Sequence, residues 1–184
     1  MSVVHPRDAT ATRARILAVA QGAFSRLGYA GANLRLIAAD AHVDPVLIAR
    51  YFGSKRQLFE TSLRLALDVS PLMEFDRARF GQSVMDHFAR SHDEGILSLT
   101  MVIRSVGHPE AQAIAVQLLE ELVIQPLARW LSPREAKSRA VQVTILCTGY
   151  FLYRNVLPLS SMPGPLNPAM RRWFIETLQA VVDR

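Results

Sequence analysis

The 184-residue chain holds a single cysteine, Cys147. One thiol forms neither an internal disulfide nor a cysteine-rich zinc site, so a reducing, cytoplasmic setting is expected. Long apolar runs are missing too. The longest, Val141 to Tyr153, is interrupted by Gln142 and falls short of the ~20 residues that a membrane span needs. It reads as a helix covered on all sides by a core or an interface. The opening residues, Met1 to Asp8, lack the apolar core and cleavage pattern of a secretory signal. No HExxH, GxSxG, CxxC or glycine-rich phosphate loop occurs, which argues against an enzyme and against a bound cofactor. Asp86-His87 and His92-Asp93 are the nearest thing to a metal site. Their histidines stand five residues apart, off a common helical face, and read as surface residues. Alternating strand patterns and internal repeats are absent as well, which leaves an all-α fold.

What the chain does have is charge in one place. Residues 1–67 carry nine basic and four acidic side chains, while residues 68–184 carry twelve of each. The whole excess of +5 therefore belongs to the first third. A basic module joined to a neutral body suits a polyanionic partner.

The periodicity predicts helix after helix. Ile16, Leu17, Ala20, Ala23, Phe24 and Leu27 recur at helical spacing over Ala11 to Leu27, and Gly28 stops that helix. Asn33 caps a second helix, Leu34 to Ala41. Asp44-Pro45 opens a short third one through Phe52, ended by Gly53. Ser54-Lys55-Arg56-Gln57 is a capping box for a fourth helix reaching toward Val69, and Pro71 marks the end of this unit. Further helices are expected over Phe75–Ser91, Glu94–Val106 and Pro109–Leu131, the last kinked at Pro126. Ser132-Pro133-Arg134-Glu135 has the makings of another capping box, starting a helix that runs to about Val156. After a Pro/Gly/Ser loop from Pro158 to Pro165, Asn167-Pro168 starts the last helix, to about Val182.

The second and third helices are separated by only His42-Val43-Asp44, which is helix-turn-helix spacing. Ile37, Ala38, Ala41, Val43 and Ile48 can fill its interior. The small residues Ala38 and Ala41 let the two helices cross closely. The second of the pair is then free to enter a major groove.

At this point the chain resembles the TetR family. The resemblance is carried by Thr12-Arg13-Ala14-Arg15-Ile16-Leu17, Ala20 with Phe24, Gly28-Tyr29, Arg35-Leu36-Ile37-Ala38 and Ala41-His42-Val43. It ends with Tyr51-Phe52-Gly53-Ser54-Lys55-Arg56-Gln57-Leu58-Phe59 and covers about residues 10–63. It implies about nine helices. A three-helix DNA-binding head would span 1–54, with a linking helix starting in 55–70. A larger helical bundle for dimerisation and ligand sensing would span 71–184. The Asp44-to-Ile48 stretch with Phe52-Gly53-Ser54-Lys55 is similar to actinobacterial members.

Three residues depart from the family pattern. His42 stands where a turn glycine is usual, at a site that often needs left-handed backbone. Ala49 replaces a tyrosine that commonly meets phosphate. Val46-Leu47 replaces a Gly-Thr pair, which trades polar readout for contact with a thymine methyl.

By the same resemblance, Asp44, Pro45, Val46 and Arg50 occupy the exposed side of the recognition helix. Tyr51, Lys55 and Arg35 match backbone-contact positions. Lys55 would combine its charge with the amides at the start of the fourth helix to hold one phosphate.

In the larger part, the helix after Pro133 and the final helix with Trp173, Phe174, Leu178 and Val181 would form a four-helix homodimer interface. Two heads would then meet half-sites of a palindromic operator. Candidate ligand-lining residues are Phe88, Met101, Arg104, Trp130, Cys147, Tyr150 and Phe151. Arg104 stands out because it lies in an otherwise apolar helix, Ile96 to Val106. A buried arginine needs an anion: an acidic ligand, Glu120 or Glu121. The expected function is a transcriptional repressor released from operator DNA by a small effector through a population shift. Two other readings stay open here: an activator, and an adaptor whose head has lost DNA binding.

Overall fold

A computed structural model of the chain describes residues 6–90, 94–131, 133–162 and 164–184, with the side chains of 6–8 and 94–96 set aside. His92, Asp93 and Ser132 lie outside the described residues. Every regular element among those described is helical. The chain divides into two compact units. One comprises 1–66 with 100–116; the other comprises 67–99 with 117–184. Thr100–Val116 therefore groups with residues 1–66.

The first unit is built on α1 (Pro6–Gly31), α2 (Leu34–Asp40), α3 (Pro45–Phe52) and α4 (Lys55–Ala66). Glycine interrupts α1 where expected: Gly28 has φ 70° and ψ 175°, outside the helical region. Ile16, Ala20, Phe24, Ile37, Ala38, Ala41, Ile48, Leu58, Phe59 and Leu63 are buried together. The Phe24 and Phe59 rings meet edge to face at 5.0 Å, and Tyr29 meets Phe59 at 5.1 Å. Each large side chain taken out of water here contributes about 1.5–3 kcal/mol. Val43 is only half-buried and adds less to the interior than its neighbours. The unit is completed by the C-terminal part of α7 (Glu94–Ile103) and the start of α8 (Pro109–Leu119).

The second unit contains α5 (Ser70–Met73), a 3-10 turn at Arg77–Arg79, α6 (Phe80–Arg90), the rest of α7 and α8, α9 (Gln125–Trp130), α10 (Ala136–Phe151) and α11 (Pro168–Val182). Pro71 thus sits inside a one-turn helix rather than closing α4, which stops at Ala66. Taking α8 and α9 as one rod and setting α5 aside leaves nine helices among the described residues.

That rod does not simply kink at Pro126. Residues Glu120–Ile124 widen into a π-helix. Proline has no N–H to give the carbonyl four residues back, and its ring crowds that carbonyl. The wider turn, with Gln125 N–H donating to Glu120 O, relieves both problems. The same solution recurs at Leu152–Val156, directly before Leu157-Pro158.

The capping box expected at 132–135 starts on Ser132, outside the described residues, but Glu135 does not sit in the first turn of a helix. Its backbone is left-handed at φ 50°, it makes no side-chain cap, and α10 begins only at Ala136.

The arginine expected to be buried is a different one. Arg104 follows the end of α7 and is exposed, so the apolar run around it does not enclose it. Glu120 pairs instead with Lys137 at 3.4 Å, and Glu121 accepts from Gln117 at 2.8 Å. The buried cation is Arg139, only 1% exposed. Its Nε donates to Val181 O at 2.7 Å and its Nη2 to Val182 O at 2.6 Å. Those are among the last carbonyls of α11, which lack helical partners and carry the negative end of the helix dipole.

Candidate nucleic-acid interface

The helix-turn-helix rests on local chemistry. Asn33 accepts from Leu36 N–H at 2.8 Å and starts α2. The end of α2 is a Schellman motif: His42 N–H donates to Ala39 O and Val43 N–H to Ala38 O, both at 3.0 Å. His42 is left-handed at φ 51°, as the glycine it replaces would be. Arg15 adds a second closure, its Nε donating to Ala41 O at 2.9 Å.

Asp44 then caps α3 by accepting from Val46 N–H at 2.8 Å, with Pro45 in the first turn. Gly53 ends α3 at φ 76° and ψ −75°, closing a γ-turn in which Ser54 N–H donates to Phe52 O at 3.0 Å. A β-carbon there would collide with the Gln57 side chain. Gln57 is occupied as the capping box requires: its Oε1 accepts from Ser54 N–H, while Ser54 Oγ accepts from Gln57 N–H.

These caps fix which face of α3 is available. Ile48 and Phe52, four residues apart, point into the unit. Asp44, Pro45, Val46, Ala49 and Arg50 lie exposed on the other side, Val46 at 70%. Arg35, at the start of α2, is also exposed, and Tyr51 is half-buried beside Phe52. The expected set is therefore brought together on one unit.

Asp44 has a dual position, because its Oδ1 is already spent on the cap. Sequence reasoning missed Arg13, whose guanidinium lies 5.0 Å over the Phe52 ring, and the capping role of Arg15. Both sit in α1, and nothing local in sequence links them to α2 or α3.

Lys55, like Tyr51, is only partly exposed. Its Nζ donates to Ala30 O at 3.3 Å and sits 4.8 Å from the Tyr29 ring centre. Partial burial pushes its pKa down, and the Glu110 charge works against that shift. Electrostatics otherwise favour the surface. The first unit holds ten basic and five acidic side chains, so the chain's whole +5 excess belongs to it.

The seven candidate ligand residues do not form one group. Phe88 stacks on Tyr150 at 5.3 Å and meets Phe151 at 4.4 Å and Phe174 at 6.3 Å. Trp130 instead faces Phe80 at 5.0 Å, with the Arg77 guanidinium 4.8 Å over its ring. Cys147 is in the same unit, and burial pushes its thiol up to about 12. Met101 is buried in the first unit and Arg104 is exposed in it. Among the described residues no cluster of histidine, cysteine or acidic side chains is arranged to hold a metal. No described helix is long and apolar enough to cross a membrane.

Comparison with known proteins agrees with this geometry. Residues 16–61 match the profile of bacterial regulatory proteins of the tetR family. Residues 78–182 match that of the tetracyclin repressor-like C-terminal domain. A stretch of 57 residues is 46% identical to the HTH-type transcriptional repressor SCO4008 of Streptomyces coelicolor, taking in 31% of this chain and 30% of that protein. A TetR-family regulator from Streptomyces coelicolor shares the fold over 100% of both chains, at 23% identity and a TM-score of 0.59. The multidrug binding protein EbrR, complexed with ethidium, does so over 93% of this chain and 98% of its own, at 17% identity and a TM-score of 0.64.

Proposed function

The chain belongs to the TetR family of bacterial regulatory proteins, helix-turn-helix DNA-binding transcriptional regulators, and from that premise we propose that it is a ligand-released repressor of a palindromic operator. The observation carrying this reading is the outward face of α3. Arg50, Val46 and Pro45 stand exposed on the unit that holds all the excess positive charge. Arg50 reads a base edge or binds the neighbouring phosphate, and Val46 offers an apolar contact to a thymine methyl. Arg35, Tyr51 and Lys55 bind the flanking backbone. Asp44 orients the helix by its cap. Residues 1–54 with the start of α4 act as the DNA-binding domain, and 71–184 supply sensing and dimerisation.

Dimerisation uses α10 and α11. Val141, Ile145, Met170 and Trp173 are exposed on them, Ile145 at 64% and Trp173 at 53%. A monomer in water gains nothing by displaying such side chains on two adjacent-numbered helices. The effector binds beside the Phe88, Tyr150, Phe151 and Phe174 cluster, which supports a flat, apolar ligand. EbrR, a relative by fold alone, is a protein complexed with ethidium.

Selection of duplexes from a random pool tests the proposal. Recovery of an inverted repeat, bound with steep salt dependence, is the expected result. Arg50→Ala should then weaken binding at least tenfold, and Ile145→Arg should leave a monomer that binds one half-site weakly. A pool that stays random after several rounds would rule out the repressor.

A further inference from the structure

Lys55 is held in a small cage within the first unit. The floor is the Tyr29 ring, 4.8 Å below the ammonium, and one wall is Ala30 O at 3.3 Å. Tyr29 is itself fixed from two sides. Its hydroxyl donates to Glu110 Oε2 at 2.7 Å, and the His108 ring lies 4.5 Å from its own. Both residues come from the start of α8 and the turn before it, far along the chain from the helix-turn-helix.

Resting on the DNA-binding reading above, we infer that Glu110, acting through the Tyr29 hydroxyl, is a positioning residue that holds Lys55 in place for an operator phosphate.

Three physical effects combine at Lys55. An ammonium has three donors. Ala30 O takes one and the ring face engages a second, which leaves the third for a phosphate. The ordering entropy of a long lysine side chain is thereby met before DNA arrives. Second, a phenol that donates to a carboxylate carries more electron density on its face, and that strengthens its hold on a cation. Third, Glu110 does not compete by pairing with Lys55. Its carboxylate is bonded to the phenol, and its charge reaches the lysine only at longer range. Burial and this bond together push the Tyr29 phenol up to about 12, while nearby Arg56 pulls the other way. The phenol therefore stays a donor at every physiological pH.

The chain has only two lysines, Lys55 and Lys137, which makes the cage easy to address. Binding to the selected duplex is measured between 50 and 200 mM salt for wild type, Tyr29→Phe, Lys55→Gln and the double variant. Lys55→Gln should reduce the slope of log affinity against log salt by about 1.8, about 0.9 for the one phosphate contact that each protomer of the dimer loses. Tyr29→Phe changes no charge, and it should weaken binding three- to tenfold when Lys55 is present. In the Lys55→Gln background it should have no effect. An equal loss in both backgrounds would mean that Tyr29 merely supports the fold, and an unchanged slope in Lys55→Gln would mean that Lys55 meets no phosphate. Either outcome overturns the inference.

A second readout needs no DNA. Trace acetylation with acetic anhydride across pH, with Lys137 as internal reference, reports the titration midpoint of Lys55. Glu110→Gln should lower that midpoint; no shift would mean that Glu110 does not act on Lys55. A shifted midpoint in a protein that binds no duplex would instead sink the DNA-binding reading and leave the Glu110–Lys55 link standing.

Discussion

Two helix ends, one in each unit, are closed by an arginine, and they use it differently. In the first unit Arg15 reaches Ala41 O at the end of α2 from an exposed position. In the second, Arg139 reaches Val181 O and Val182 O at the end of α11 and is almost wholly buried. The α2 end already has its own closure in the Schellman turn at His42, so Arg15 is a supplement there. A cation that stays near the surface keeps its charge available to a partner. A cation that is swallowed spends its charge on carbonyls of its own chain. The charge excess of the first unit is thus usable, while part of the basic complement of the second is internal.

The sharpest way to break this comparison is Arg139→Met. It leaves the α11 carbonyls buried without their donors, at about 1–3 kcal/mol for each group. Urea unfolding should show a loss of roughly 3 kcal/mol; a loss below ~1 kcal/mol would mean that water or a neighbour replaces the guanidinium.

Alkaline unfolding separates the two units next. The Tyr29 phenol in the first and the Cys147 thiol in the second both have folded pKa values raised to about 12, from ordinary values of 10.0 and 9.0. Below the ordinary value both states are protonated and the folded-state advantage is intact. Above it the unfolded group ionises first, so stability falls as pH rises toward 12. Cys147→Ala should remove the part of that fall that begins near pH 9, and Tyr29→Phe the part that begins near pH 10. Identical pH–stability curves for wild type and both variants would contradict the burial of these groups.

His42→Gly should be stabilising by about 1 kcal/mol, because a left-handed residue with a β-carbon is replaced by one without. The urea midpoint would rise with an unchanged slope. Smallest of all, Arg15→Ala should cost under ~1 kcal/mol, since the bond it loses is only partly buried and is backed by the Schellman pair. A loss as large as that of Arg139→Met would erase the distinction between the two closures.

Much of the first unit was legible because its boundaries are set by neighbours in sequence. Asn33, Asp44-Pro45 and the Ser54–Gln57 pair cap helices through contacts two or three residues away, and each forms as its spacing predicts. The left-handed turn at His42 was readable for the same reason. The second unit was less legible. Glu135 fits a capping pattern but adopts left-handed backbone, and the Pro126 signal became a π-helix rather than a bare kink. Such patterns state a local preference, and packing decides whether it is used.

The sequence by itself determined the helical class, the turn between α2 and α3, the family, and the placement of charge. These follow from periodicity, caps and composition, which act over a few residues. Only the tertiary structure decided which arginine is buried, which aromatic rings meet, and that Thr100–Val116 joins the first unit and brings Glu110 to Tyr29. Burial and pairing at long separation depend on which surfaces come together, and an apolar neighbourhood in sequence, such as that of Arg104, does not say whether anything covers it.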